Sequence, residues 1–418
     1  MATWYLPEIV RIISEYAEKP DFAALCRTSR GLHYIGNEML YESITLNLRE
    51  KGPKWFHLLC RALLGSTGFD MYVRRLHIVL CYDTRHGYAK PSSEEVSSQL
   101  QTLSSIIRKC INLRAINVTR ESTASHSAIQ AFDQSLIHSS QLREITVQVQ
   151  YTGLGFYPST GEVDVNTSLL LDLLQSSSTT SLNLLLEQGP ESLLQIPSYP
   201  TNNNVVKLSL IRSGLHMTSL QKILTAVPNL QDLSLSFMFD ADRTMHHIGC
   251  FLDGEKLGRV LATVSSRLRS LRLVARFCAH TAYDVSRGTG EPNSWGLIHN
   301  WFGSLNSFKK LKSLEMDPTL LLGWDRSKAD WNKLSDVLPE SLESLYFRDD
   351  FEAWDYSPWN DELWTLHKLL IDYLDEPQSK MLKKLRLTAP NGLTETLNSM
   401  CNDRKIHFSC DEFWPPSR

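Results

Sequence analysis

Residues 230–235 read Leu-Gln-Asp-Leu-Ser-Leu and residues 382–387 read Leu-Lys-Lys-Leu-Arg-Leu, one L-x-x-L-x-L spacing met twice. The last two leucines lie two residues apart, so on a strand they share a face and the residue between them faces the other way. With Ile, Val, Met or Phe allowed at the apolar sites, the pattern recurs ten times, the fourth being the weakest match because Thr179 stands at its first apolar site. The cores are Val73/Leu76/Ile78, Leu113/Ile116/Val118, Leu142/Ile145/Val147, Thr179/Leu182/Leu184, Val205/Leu208/Leu210, Leu230/Leu233/Leu235, Leu268/Leu271/Leu273, Leu311/Leu314/Met316, Leu342/Leu345/Phe347 and Leu382/Leu385/Leu387. Between them run stretches with helical spacing, such as Val96, Leu100, Leu103 and Ile107, or Leu169 to Leu174, or Leu363 to Leu374. A short strand alternating with a helix predicts an α/β fold whose parallel sheet bends into an arc with helices on its convex side. One unit cannot bury both faces of its strand, whereas stacked neighbours cover each other's leucines. At about 4.8 Å per strand the ten strands would run for roughly 45 Å, a surface sized for a protein.

The rival architecture is a doubly wound α/β fold. It is disfavoured because no strand is followed by a glycine-rich phosphate loop, and because buried strands of that fold do not need the two-residue offset. The middle apolar positions step by 25 to 43 residues, so several repeats carry insertions over the 20–29 residues of a leucine-rich repeat.

The N-terminus differs. Leu6, Ile9, Val10, Ile13 and Tyr16 fall on one helical face that Pro7 would start and Pro20 would end; Asp21 would cap a second helix with Phe22, Leu25 and Cys26, and Leu32, Ile35, Met39 and Leu40 form a third stripe. Ile44-Thr45-Leu46 then alternates like a strand. This stretch, LPEIVRIISEYAEKPDFAALCRTSRGLHYIGNEMLYESITL, resembles the F-box in its fungal form, except that Pro7 is followed directly by Glu8-Ile9 where the family usually has one residue more. The whole chain resembles the F-box/leucine-rich-repeat proteins. That resemblance implies a substrate-recognition subunit of a cullin-RING ubiquitin ligase, binding a Skp-type adaptor and so the cullin scaffold through Leu6, Pro7, Ile9, Val10, Phe22 and Leu25, and a protein substrate through the repeats. It also implies a chain that is not itself an enzyme. A head of about 45 residues is too small to bury a full core, which suits a module completed by a partner. The alternative is a leucine-rich-repeat scaffold without ligase association, in which residues 1–46 only cap the array. The expected organisation is a head at 1–46, a connecting helix within 47–72 starting near Pro53 and ending at Gly65, repeats over 73–410 and a tail at 411–418.

A length of 418 residues accommodates two to three domains. The net charge of −3 gives no general attraction to nucleic acid or to an acidic membrane. Eight dispersed cysteines without a C-x-x-C pair read as reduced thiols of a cytoplasmic or nuclear protein. The first residues lack the charged-then-apolar order of a signal peptide, and no apolar run reaches the ~20 residues of a membrane span.

No G-x-S-x-G, P-loop, H-E-x-x-H or paired-cysteine zinc motif is present. His246, His247 and Cys250 with Cys278 and His280, and Cys401 with His407 and Cys410, have spacings that fit no common metal site, so neither a metal nor a cofactor is expected. The residue between the last two apolar positions of each core should form one partner-facing column: His77, Asn117, Thr146, Asn183, Ser209, Ser234, Arg272, Glu315, Tyr346 and Arg386. Its first six members are small or neutral, so Arg272, Glu315, Tyr346 and Arg386 are the better substrate contacts. Residues 349–376 hold nine carboxylates against the single Lys368, interleaved with Phe351, Trp354, Tyr356, Trp359 and Trp364. Aromatics rimmed by acids suit a basic peptide, which adds Trp354 and Trp359 to the candidate contacts; the other reading packs these tryptophans on the last repeats with the acids as a solvated edge.

Overall fold

The computed structural model describes residues 24, 26–28, 30–47, 53–65, 68–80, 92–121, 126–150, 165–185, 198–211, 216–240, 252–278, 298–299, 302–323, 333–348, 363–389 and 394–412. The chain forms two compact units, residues 1–185 and 186–418. In the first, five strands lie side by side in chain order: β1 (Ser43–Asn47), β2 (Arg75–Val79), β3 (Ala115–Glu121), β4 (Glu144–Gln150) and β5 (Ser181–Leu185). All their pairings are parallel. The helices that alternate with them are α1 (Arg30–Glu42), α2 (Pro53–Leu64), α3 (Ser93–Lys109), α4 (His126–Ile137) and α5 (Val165–Gln175).

The second unit repeats the plan. Its sheet holds β6 (Lys207–Ile211), β7 (Asp232–Asp240), β9 (Ser270–Cys278), β11 (Ser313–Met316), β12 (Ser344–Phe347), β13 (Lys384–Ala389) and β14 (His407–Glu412), with a separate two-residue pair β8 (Leu252–Asp253) and β10 (Ile298–His299). Helices α6 (Met217–Ala226), α7 (Gly254–Ala262), α8 (Pro318–Leu322), α9 (Leu363–Asp375) and α10 (Thr394–Asp403) alternate with these strands. Among the described strands neighbours follow chain order without reversal in either unit, without the switch in strand order at which a doubly wound fold binds its ligand. The fold is a solenoid-like α/β array with all-parallel sheets.

Packing explains the register. In the first unit Leu76, Ile116, Ile145 and Leu182 are strand partners, and in the second Leu208, Leu233, Leu271, Leu314, Leu345, Leu385 and Phe408 are. The ten leucine-type positions of this row are each at most 2 % exposed. A slip by one residue would turn every leucine to solvent, which locks the pairing. Thr179, the polar member of the fourth core, is buried as its apolar counterparts are. The helices are fixed by local signals: Ser92 accepts the Glu95 N–H at 3.1 Å to cap α3, which begins with Glu94 and Glu95 and ends with Arg108 and Lys109. Asp253 and Asp317 cap α7 and α8 in the same way.

The strand expected to close the N-terminal head is the first rung of the first sheet, Thr45 pairing with His77. Helix α1 is tied to the same place. Arg74 pairs with Glu38 and Glu42 at 3.4 and 3.6 Å, and the Tyr41 ring stacks on Phe69 at 4.3 Å. At the other end β14 runs through Glu412, two residues past the expected end of the repeats. Among the described residues no helix is long and apolar enough to cross a membrane.

Candidate functional site

The predicted column is a row of neighbours within each unit. Thr45, His77, Asn117, Thr146 and Asn183 align in the first, and Ser209, Ser234, Arg272, Glu315, Tyr346, Arg386 and Ser409 in the second. Each is exposed or half-buried, and from His77 to Arg386 the apolar residues on either side of it are buried; at the two end strands Ile44, Phe408 and Cys410 are half-buried. The row therefore lies on the face opposite the core. In the first unit it is neutral, and the Asn117 and Asn183 Oδ1 atoms are buried with no partner among the described residues.

The second unit gathers its large side chains into one connected group. Glu315 Oε1 accepts from Arg272 Nε at 2.8 Å and from Arg348 Nη1 at 2.7 Å. The Arg348 and Arg386 guanidiniums lie 5.6 and 4.5 Å from the Tyr346 ring centroid. Tyr346 donates its phenolic hydrogen to Asp411 Oδ2 at 2.9 Å, and Arg386 Nε donates to the same oxygen at 2.8 Å. Thr388 Oγ1 lies 3.2 Å from the phenol. All four described candidates of the substrate set are thus members of one network.

Two members escaped the reading of the sequence, Arg348 and Asp411. Both lie two residues beyond a row position, Arg348 after Tyr346 and Asp411 after Ser409, so the period of a strand puts them on the same face. Counting that second row, and carrying β14 past residue 410, would have found them.

The electrostatics describe a held aromatic surface. Three guanidiniums face two carboxylates, leaving one positive charge in excess. Partial burial, with Asp411 adding to it, pushes the Tyr346 phenol above its ordinary value, so it stays protonated and able to donate. Asp411 likewise holds the Arg386 guanidinium above its usual range. Arg272 and Arg386 side chains are 47 % and 50 % exposed, against 16 % for Arg348. The outer arginines are therefore open to a partner while Arg348 fixes the ring. An anchor already held in place loses little side-chain entropy on binding.

Burial raises the Cys401 and Cys60 thiols to about 11 and Cys110 to about 12, so all three are protonated near neutral pH. Among the described residues no group of His, Cys, Asp and Glu is placed to hold a metal ion.

No protein-family model matches the chain. No curated protein sequence matches it.

The remaining candidates divide. Leu6, Pro7, Ile9, Val10, Phe22 and Leu25, with Trp354 and Trp359, lie outside the described residues. Of the nine acids in 349–376, three are described, and two of these are engaged: Asp375 with Arg404 at 3.0 Å and Glu376 with Lys333 at 2.8 Å. Lys333 holds the Glu376 carboxyl below its ordinary range. These two acids brace neighbouring repeats, which leaves the partner-facing reading to the exposed Asp372 and to the acids of 349–362, which lie outside the described residues.

Proposed function

We propose that this chain is a substrate-recognition subunit of a cullin-RING ubiquitin ligase, docking on a Skp-type adaptor through its N-terminal F-box-like segment and holding a protein substrate on the polar face of its leucine-rich repeats. The observation that carries the substrate half is the Tyr346 network. Tyrosine and arginine, prearranged on a rigid sheet and half open to solvent, are the residue types in which binding energy concentrates. The adaptor half rests on the resemblance of residues 6–46 to an F-box.

A second reading has its own observation. Residues 30–47 pair and pack as the first rung of the array, as a capping segment of a protein-interaction scaffold without ligase association would. The two readings part on adaptor binding, tested by co-purification of the full chain with a Skp-type adaptor. Removal of residues 1–46 would strip β1 from β2 and leave a raw sheet edge, so the better truncation stops before Arg30. Under the ligase reading that truncation, Leu6→Asp and Ile9→Asp each abolish capture, because a charge in a desolvated apolar contact costs several kcal/mol. No capture by the intact chain leaves the scaffold reading standing, and capture unchanged in all three variants removes the F-box assignment.

A further inference from the structure

In the second unit the residues that precede each strand form a row of their own. The Arg269 carbonyl accepts the Lys312 N–H, the Lys312 carbonyl accepts that of Glu343, and the Glu343 carbonyl accepts that of Lys383, each at 2.8 Å. The four backbones are therefore pinned at the strand spacing, about 14 Å from first to last at ~4.8 Å per step. Lys309 and Lys310 sit in the turn leading into this row, and Lys384 is the first residue of β13. Arg269, Lys309, Lys310, Lys312, Lys383 and Lys384 are all exposed. Against these six bases stand the exposed Glu340 and the half-buried Glu343, while Lys380 and Glu376 in the turn before Lys383 offset each other, an excess of four positive charges on a chain whose net charge is −3. Glu343 is already taken, bridging Lys312 at 2.7 Å and Lys383.

We infer that this strand-start edge is a docking surface for an acidic peptide segment, one rich in Asp and Glu and bound in extended form across β9, β11, β12 and β13. The length fits: at ~3.3 Å per residue, 14 Å spans about four residues of extended chain. The chemistry fits an acidic peptide better than nucleic acid. The edge offers ammonium point charges and, among the described residues, no exposed aromatic ring on which bases would stack. A duplex also carries its charge far beyond the patch, where it meets a net acidic protein. A short peptide stays within about one Debye length of the lysines, roughly 10 Å at 0.1 M salt. Only Lys384, two residues before Arg386 on the same strand, borders the Tyr346 face, and the inference does not depend on the ligase reading.

The test is fluorescence anisotropy on the full chain at 50 mM and 200 mM NaCl, with labelled octaglutamate, octaglutamine and a twelve-base-pair DNA duplex as probes. Octaglutamate is expected to bind saturably at 50 mM NaCl and several-fold more weakly at 200 mM, octaglutamine not at all, and the duplex more weakly than octaglutamate. Lys309→Glu/Lys310→Glu should weaken octaglutamate binding about tenfold or more, and the milder Lys309→Gln/Lys310→Gln should weaken it less, both with unchanged circular dichroism. Lys368→Glu, on the exposed side of α9, controls for net charge and should leave binding within twofold. The inference is overturned if octaglutamate does not bind, if the duplex binds as tightly or more tightly, or if Lys368→Glu costs as much as the turn substitutions.

Discussion

Leu345 and Tyr346 are adjacent on β12 and face opposite ways, so truncating each to alanine separates core from surface. Leu345 is fully buried between its strand partners Leu314 and Leu385. Leu345→Ala removes three carbons from a packed ladder and is expected to cost about 2–5 kcal/mol. Tyr346→Ala removes two guanidinium contacts at partly exposed sites, about 0.5–1 kcal/mol each, and one hydrogen bond to a carboxylate that stays half open to water and paired with Arg386. Its expected cost is about 1–3 kcal/mol. Tyr346→Phe, which keeps the ring, should cost less than about 1 kcal/mol. Equilibrium urea unfolding measures all three, provided the slopes agree so that midpoints compare directly. A Tyr346→Ala loss equal to that of Leu345→Ala would mean that the ring belongs to the core, which would remove the presented aromatic anchor on which the substrate-binding proposal stands.

Other consequences follow from single contacts. Lys312 and Lys383 hold the Glu343 carboxyl down to about 2 against an ordinary 4.5, so its contribution to stability is complete above about pH 5 and fades as pH falls from there toward 2. The stability difference between the wild type and Glu343→Gln should follow that curve in urea unfolding at a series of pH values; a difference that persists unchanged at pH 2 refutes the assignment. In α7 a Cβ on Gly258 would meet the Phe302 carbonyl oxygen at 2.3 Å. Gly258→Ala should therefore destabilise by about 1–3 kcal/mol, although alanine favours a helix by up to ~1 kcal/mol. A stabilised variant in thermal melting would show that α7 and Phe302 do not pack as described.

The pattern Leu230-x-x-Leu233-x-Leu235 and its nine relatives carried the strand positions, their parallel alternation with helices and the row of outward residues, because a half-buried strand has a period of two and a shift of one residue would expose every leucine. The same reasoning reached Arg272, Glu315, Tyr346 and Arg386 as one surface. What it could not reach is how they are joined. Arg348 meets Glu315 across 33 residues of sequence, and Asp411 meets Tyr346 across 65. The intervening stretches vary in length and say nothing about which side chains end up level. The basic edge has the same origin: Arg269, Lys312 and Lys383 are unremarkable in their own repeats and become a patch when parallel pairing stacks the starts of successive strands. Local periodicity was written in the sequence. Charge placed side by side between distant repeats is set by register and loop length together, and only the tertiary structure decided it.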